Sequence, residues 1–315
     1  MSPREKQLIK IEESKEFERS LKWVEMTDNK HWNQWMKNKR NKVASRVKKG
    51  IPDSIRSRAW ALLTETSKMK KKYPTTMNEL LEKPAHDGYI VINKDLSRTF
   101  PQIGFFSKPG FIESLRRVLC CYCQTDPTLG YTQGMSFIAG MLLAYMDEET
   151  AYYSFVNIML QPRINHRGYL LSGFPRLERA NDMLLCLMDK KCPKVIKRMN
   201  EIGVFMQMFT PGWFLTAYQS FNWPPEFQLR IFERFLFYGT RALINFAIII
   251  IMKHVDILEK AEIEVFLKVL QHPDESERMM NWHSVLEDWD KNWIKKKEYE
   301  YLLDRVGAQS ETDHY

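Results

Sequence analysis

Two polar segments of this 315-residue chain contain residue types that can act on an anionic group or on a water molecule. In the first segment, Asp95 precedes Arg98 by three residues. A guanidinium group is always charged, and its planar fork can meet two oxygens at once. In the second segment, Gln133 stands between Gly130 and a long apolar run. Its amide can accept and donate hydrogen bonds at the same time, and this allows it to orient water.

The first segment is predicted to end an amphipathic helix. At 100° per residue, its apolar residues share one face: Ile92, Leu96 and Phe100. Arg98 falls almost opposite that face, and Asp95 is about a sixth of a turn from Arg98 by the same arithmetic. Pro101 should end the helix, so Arg98 lies in the last turn, where the helix dipole favours a cation. A surface pair at this spacing is common and stabilises a helix by roughly a few tenths of a kcal/mol, so a purely structural interpretation stays open.

The second segment is predicted to be a junction between a loop and a helix. Asp126-Pro127 and Gly130 break helices, and the apolar residues 135–146 favour a new one. Gln133 should therefore lie at the junction, where its side chain projects freely. The alternative is that Gln133 only caps the helix.

The two segments together resemble a known family. The spacing of Ile92, Asp95 and Arg98 matches IxxDxxR, and Tyr131–Met135 matches YxQGM. These are the signature pair of the TBC domain, whose members activate GTP hydrolysis by Rab GTPases. Further segments match in family order: Gly50–Leu63, Asp147–Met159 and Arg230–Leu236. The resemblance covers about 220 of the 315 residues, with Ser57 in place of a usual glycine in the opening motif.

The resemblance implies a set of site residues. It implies that Arg98 is an arginine finger and that Gln133 is a second finger, which takes over the role of the GTPase's own glutamine. Asp95 is expected to hold the Arg98 guanidinium or the neighbouring backbone. Tyr131 and Gly134 are expected to shape the Gln133 loop. Two further residues of the opening motif are expected to give structural support: Arg56 and Trp60.

The implied activity is that of a GTPase activator with no nucleotide of its own. The chain has no Gly-rich phosphate loop, so GTP and Mg²⁺ are expected to belong to the partner, a Rab-family GTPase in its GTP form. Two alternatives stay open. One is a scaffold that binds a Rab without changing its turnover; the other is a basic helical protein that binds membranes or RNA.

Composition and charge fit a cytoplasmic globular protein. Helix-period apolar patterns recur throughout, which predicts an all-α, multi-helix fold. They include a largely buried apolar helix from Leu243 to Leu258, whereas the basic stretch from Lys68 to Lys83 is predicted to be a loop. The most apolar run, residues 242–252, is shorter than the roughly 20 residues that cross a bilayer, and no signal peptide is predicted. Lys37–Lys49 holds seven basic residues and no acid. The segment is either a solvated helix face or a contact with anionic endomembranes. No nucleic-acid motif accompanies it, so nucleic acid is not expected as a partner.

The predicted organisation has four parts. Residues 1–49 are a charged helical extension, and residues 50–271 are the TBC domain. Residues 272–306 form a C-terminal helix on that domain, and residues 307–315 a disordered tail. Two sets of tryptophans are expected to dock the flanking helices: Trp23, Trp32 and Trp35, and Trp282, Trp289 and Trp293. Cysteines 120, 121 and 123 are expected to be free thiols of an amphipathic helix, because no second ligand pair stands at zinc spacing.

Overall fold

The computed structural model describes residues 3–28, 31–96 and 109–307. Every regular element within these ranges is a helix, and they contain no strand. The predicted all-α fold is therefore confirmed. No helix of the described part is long and apolar enough to cross a membrane.

Contacts divide the chain into two compact units. Unit 1 comprises residues 1–161 with 232–237, and unit 2 comprises residues 162–231 with 238–315. This differs from the predicted divisions after residues 49 and 271. The N-terminal extension is part of unit 1 because its first helix packs directly on the opening helix of the predicted domain.

Unit 1 is built from ten helices in the described residues: α1 (Pro3–Thr27), α2 (Trp32–Asn38), α3 (Arg40–Lys49), α4 (Asp53–Leu63), α5 (Thr66–Lys72), α6 (Met77–Leu81), α7 (Gly88–Leu96), α8 (Pro109–Thr125), α9 (Met135–Leu143) and α10 (Glu148–Leu160). The stretch from Lys68 to Lys83, expected to be a loop, holds α5 and α6. A capping box explains the start of α6, since Thr76 accepts from the Glu79 backbone and the Glu79 carboxylate accepts from the Thr76 backbone.

The N-terminal extension packs through its aromatic residues. All three predicted anchors are buried: Trp23, Trp32 and Trp35. Helix α1 packs against α4, and the Lys39 ammonium lies 4.5 Å from the centroid of the Trp35 ring. Burial of large rings explains why the extension belongs to unit 1 and is not a separate tail.

Helix α8 lies at the centre of unit 1 and packs against α6, α7, α9 and α10. Cys120, Cys121 and Cys123 are buried in it. Burial raises the pKa of the Cys120 thiol to about 11 and those of Cys121 and Cys123 to about 12. The thiols therefore stay protonated near neutral pH and act as small apolar side chains of the core.

The opening helix α4 is held by a buried ion pair. Arg56 donates from Nε to Glu233 Oε1 at 3.1 Å and from Nη2 to the Ile51 carbonyl at 2.6 Å. Glu233 Oε2 also accepts from the Ile51 amide at 2.9 Å. Trp60 packs edge-on against the rings of Tyr145 and Phe232, with centroids 5.2 and 5.0 Å away. Arg56 and Trp60 therefore contribute to the interior of unit 1.

Unit 2 contains three 3₁₀ turns (His166–Tyr169, Met206–Met208 and Pro273–Glu275) and the remaining α-helices of the described residues: α11 (Pro175–Lys191), α12 (Pro193–Ile202), α13 (Thr210–Phe214), α14 (Pro225–Tyr238), α15 (Thr240–Lys253), α16 (Val255–Leu258), α17 (Ile263–Gln271), α18 (Glu277–Met280), α19 (Trp282–Lys291) and α20 (Lys296–Arg305). Residues 232–237 of α14 are grouped with unit 1. Proline in the first turn starts α11, α12 and α13, where its missing N–H costs no hydrogen bond.

Two helix predictions for unit 2 were wrong. The apolar helix expected from Leu243 to Leu258 ends at Lys253, because the His254 ring Nδ1 donates to the Ile250 carbonyl at 2.8 Å and a new helix begins at Val255. Residues 272–306 form a 3₁₀ turn and three short helices in place of one helix. Trp289 is fully buried as expected, whereas Trp282 and Trp293 are half-buried. Of the predicted tail, residues 308–315 lie outside the described residues.

Candidate functional site

Helix α7 positions the first candidate segment. Its apolar face is buried as predicted, since Ile92 and Leu96 are 0% and 5% exposed. Asp95 is also buried, at 4% exposed. Arg98 lies outside the described residues, as do the predicted helix end at Phe100 and Pro101.

Gln133 lies at a loop-to-helix junction, as the sequence predicted. Helix α9 begins two residues later, and the Gln133 side chain is exposed. Within the described part of the chain, its amide makes no hydrogen bond. The N-cap residue of α9 is Gly134, which makes no side-chain capping bond. The capping interpretation of Gln133 is therefore wrong, and the amide is available to a partner.

Gly134 has a backbone conformation that directs the Gln133 loop into α9. Its φ is 105°, a value that an L side chain rarely adopts without strain. Glycine at this position therefore permits the sharp turn that leaves Gln133 on the surface while the next residue, Met135, is fully buried.

A buried hydrogen bond joins the two motifs. The Tyr131 hydroxyl donates to Asp95 Oδ2 at 2.5 Å, across 36 residues of sequence. The Ser136 hydroxyl donates to the same oxygen at 3.5 Å. Burial raises the pKa of Tyr131, and the bond to Asp95 raises it further, so the phenol remains a donor. The sequence predicted that Asp95 holds Arg98 or the nearby backbone; its bonds to Tyr131 and Ser136 were not foreseen.

His86 is a second link between the motifs that the sequence did not indicate. Its Nδ1 accepts from the Gly88 backbone at 3.0 Å, so its Nε2 is the protonated nitrogen and donates to the Pro127 carbonyl at 3.0 Å. A Cβ on Gly130 would lie 2.5 Å from the His86 ring, and Gly130 has a φ of 62°. The ring thus ties the start of α7 to the loop that leads to Gln133. Only the breaker residues of this loop were visible in the sequence.

The site therefore consists of the exposed Gln133 amide on a loop that buried hydrogen bonds hold in place. Asp95 of α7 accepts from Tyr131 in the loop before α9 and from Ser136 in α9 itself, and His86 bonds to the same loop. Gln133 lies at the end of that loop. Arg56 and Trp60 contribute elsewhere in unit 1, since their contacts described above are with other residues. An amide held in this way can accept from one group and donate to another on a docked partner.

Comparisons with known proteins identify the family to which the chain is similar. A model of the Rab-GTPase-TBC domain family matches residues 53–258. The chain is 34% identical over 237 residues to TBC1 domain family member whacked of Drosophila melanogaster, covering 74% of this chain and 63% of that protein. It is 28% identical over 281 residues to GTPase-activating protein GYP5 of Eremothecium gossypii, covering 86% of this chain and 32% of that protein. The chain thus spans less than two thirds of either relative.

The fold is also similar to that of a solved structure. The crystal structure of the Ypt/Rab-GAP domain of Gyp1p matches with a TM-score of 0.72 and 15% identity, covering 91% of this chain and 99% of that chain. At this identity the likeness concerns the fold alone. The family model, however, covers more than half of the sequence and includes both Asp95 and Gln133 within its bounds. The chain therefore belongs to the Rab-GTPase-TBC domain family.

Proposed function

We propose that this chain is a GTPase-activating protein for a Rab-family small GTPase and that it acts on the GTP-bound form. The observation that best supports the proposal is the exposed Gln133 amide, which has no hydrogen bond within the described residues and stands on a loop tied to buried Asp95. A side chain that only stabilised the fold would be expected to bond to other residues of the protein, whereas the Gln133 amide is exposed on a loop that is itself anchored.

The chemistry of GTP hydrolysis explains the need for both proposed fingers. A GTPase alone is slow because charge that develops on the phosphates is poorly stabilised and the attacking water is poorly oriented. An arginine supplied in trans accelerates the reaction by about 10³ to 10⁵, which corresponds to roughly 4–7 kcal/mol. In this proposal Arg98 supplies the charge, and Gln133 orients the water through its carbonyl and amide groups.

The proposal assigns the nucleotide and its Mg²⁺ to the partner. The group that reacts is the γ-phosphate, so the GTP form is the one on which the two fingers can act. The interactions matter mainly in the transition state, so removal of a finger should lower the rate far more than the affinity for the Rab.

Purified Rabs in their GTP forms provide the test. On a responsive Rab, Arg98→Ala and Gln133→Ala should each lose most of the stimulated rate, by about 10³-fold for the arginine. The double variant should be only slightly worse than either single variant, because groups that act as a unit are not additive. Arg58→Ala and Gln34→Ala are matched controls, since both side chains are exposed and lie outside the site. Near-normal stimulation by Arg98→Ala or Gln133→Ala would refute the assigned role.

A Rab whose own catalytic glutamine is replaced separates this mechanism from simple stabilisation of the Rab. If Gln133 orients the water, the chain should still stimulate the altered Rab substantially. If the Rab's glutamine is needed, stimulation should vanish although binding persists.

The scaffold alternative predicts a different outcome in the same assay. A scaffold would bind GTP-loaded Rabs without changing the turnover of any of them. The exposed Gln133 favours the activator, because binding to a Rab does not by itself require an amide that is held on an anchored loop and exposed to the partner.

We also propose that the chain is cytoplasmic and contacts anionic endomembranes peripherally through Lys37–Lys49. Part of this segment packs internally: the Lys39 ammonium lies over the Trp35 ring and the Arg40 guanidinium lies 4.6 Å from the Phe237 centroid. Cosedimentation with anionic vesicles over a salt series tests the contact, and salt-dependent binding of RNA in place of vesicles would favour the nucleic-acid alternative.

A further inference from the structure

A cationic cleft lies between α1 and α3, in unit 1. Its cavity volume is about 220 Å³, and carbon atoms form most of its wall. Three of the lining residues are Trp23, Ser45 and Gly50, and the other five are basic: Arg19, Lys22, Lys42, Arg46 and Lys49. The three basic residues of α3 recur at i, i+4 and i+7, which places them on one face of that helix. The cleft therefore combines the basic segment predicted from the sequence with two cations of α1 that the sequence analysis did not connect to it.

Two arginines hold the walls of the cleft together in a reciprocal arrangement. Arg46 of α3 donates from Nη1 to the Lys22 carbonyl of α1 at 2.6 Å. Arg19 of α1 donates from Nη1 to the Lys49 carbonyl of α3 at 3.5 Å. The Arg46 guanidinium also lies 5.1 Å from the centroid of the Trp35 ring. The Arg46 hydrogen bond therefore links α1 and α3 before any ligand binds, and the longer Arg19 contact adds less to this link.

Positive charge in the cleft exceeds the negative charge beside it. Within the described residues, Lys42, Arg46 and Lys49 have no carboxylate within 4 Å. Burial lowers the pKa of Arg46, whereas the charge of Glu25 raises it. Like charges on residues that line one cleft repel one another, and a bound anion would relieve that repulsion.

The acids at the rim do not cancel this charge. Glu16 lies 3.6 Å from the Arg19 guanidinium, and Glu18 lies 3.7 Å from the Lys22 ammonium. Both glutamates precede their partners on α1 and are substantially exposed, so the pairs are screened by solvent and weak. The α3 side of the cleft remains unpaired by any described carboxylate.

The size and charge of the cleft point to one chemical group. The volume is below the roughly 300–1,000 Å³ of pockets that enclose drug-sized ligands, so the cleft suits a small head group. A phosphomonoester brings a charge of about −1.5 to −2 and three terminal oxygens, which can accept hydrogen bonds from more than one cation. A phosphodiester brings one charge per phosphate spread along a strand. We propose that the cleft between α1 and α3 binds a phosphomonoester group, presented on a lipid head group or on a small soluble molecule.

The apolar surface of α1 makes an inserting membrane anchor a poor description of this site. Phe17, Leu21 and Val24 are 65%, 54% and 49% exposed and share one face of the helix. At 100° per residue, that face is about 160° from Arg19 and Lys22. The cleft and the apolar stripe cannot meet the same flat surface, so binding in the cleft should depend on phosphate and not on apolar insertion. This proposal is independent of the GTPase-activating function.

The test uses the full chain and three kinds of probe at constant ionic strength. The first is phosphatidylcholine vesicles that contain a phosphatidylinositol bisphosphate. The second is phosphatidylcholine vesicles with enough phosphatidylserine to match the total charge. The third is the deacylated head group of the same phosphoinositide, measured by calorimetry. The first probe should bind more tightly than the second, because phosphatidylserine lacks a phosphomonoester.

Binding of the deacylated head group distinguishes the two possible sources of the phosphate, a lipid and a soluble molecule. If the deacylated head group binds as tightly as the vesicle, the ligand is a free phosphorylated molecule. If only the vesicle binds tightly, the ligand is the lipid. Either result supports the site, provided that the variants below respond.

The variant Lys42→Gln/Lys49→Gln removes two charges from the cleft and leaves the contacts of Arg19 and Arg46 with backbone carbonyls in place. At about 1 kcal/mol per charge, affinity for the phosphorylated probe should fall about 30-fold. The matched control Lys71→Gln/Lys297→Gln removes the same charge from exposed positions outside both the cleft and the Lys37–Lys49 segment, and it should change affinity less than about 3-fold. Equal losses in both variants, or equal binding to the two charge-matched vesicles, would overturn the proposal. Unchanged circular dichroism and GTPase stimulation in both variants would show that the fold and the Rab site are intact.

Discussion

Removal of one hydroxyl group, in Tyr131→Phe, tests how the two motifs are held together. The Tyr131 hydroxyl donates to Asp95 Oδ2 at 2.5 Å, and both side chains are buried. A hydrogen bond to a charged group contributes about 1.5–3 kcal/mol, and the Ser136 hydroxyl, 3.5 Å from the same oxygen, is too distant to replace it fully. We expect the free energy of unfolding to fall by about 2 kcal/mol.

Urea denaturation followed by circular dichroism measures this loss. Tyr153→Phe is the matched control, because it removes a hydroxyl from another buried ring of unit 1 whose hydrogen bond, to the Thr75 carbonyl, is 3.5 Å long. That variant should lose less than about 1 kcal/mol. A double-mutant cycle of Tyr131→Phe with Asp95→Ala isolates the pair and should give a coupling of about 2 kcal/mol.

The same substitution should affect activity if the proposed function is correct. Tyr131 is two residues from Gln133, and a displacement of about 1 Å can cost about 10²-fold in rate. We expect Tyr131→Phe to lower the stimulated GTPase rate by about 10- to 100-fold while the affinity for the Rab is retained. Equal losses of stability in Tyr131→Phe and Tyr153→Phe, or a coupling near zero, would refute the role of this hydrogen bond.

Three further predictions concern the loop, the pH response and the N-terminal extension. Gly130→Ala should destabilise the fold by about 1–3 kcal/mol in urea titrations, because of its positive φ and the close His86 ring; His86→Ala should recover only part of that loss, and a neutral Gly130→Ala would contradict the geometry. Burial lowers the pKa of His166 to about 4, so the folded protein binds fewer protons than the unfolded chain between about pH 6.5 and 4, and stability falls as the pH falls through this window. Between about pH 7.5 and 5, the loss in the free energy of unfolding should be about 2 kcal/mol larger in the wild type than in His166→Gln. Equal losses in the two proteins would show that His166 is not the group responsible. Deletion of residues 1–36 removes buried Trp23 and should lower the Tm by several degrees in calorimetry, whereas an unchanged Tm would mean that the extension contributes no packing energy.

Local features of this protein were predictable from the sequence because they depend on neighbours along the chain. The spacing of Ile92 and Leu96 predicted the buried face of α7, and the breakers before Gln133 predicted the junction at which α9 begins. Helix ends were less predictable: α15 ends where His254 bonds to the Ile250 carbonyl, and no periodic pattern encodes that competition. The residue types needed for the proposed chemistry were likewise visible in the sequence, together with the family that they resemble.

Only the tertiary structure decided which distant residues meet. Tyr131 and Asp95 are 36 residues apart, and their hydrogen bond exists because packing around α8 brings α7 and the start of α9 together. Lys22 and Arg46 become neighbours in the same way, which turns a run of basic residues on α3 into one wall of a cleft. Periodicity specifies the face that a helix buries, but it does not specify the element packed against that face. Side-chain pairs between helices therefore follow from three-dimensional packing, and the sequence alone did not reveal them.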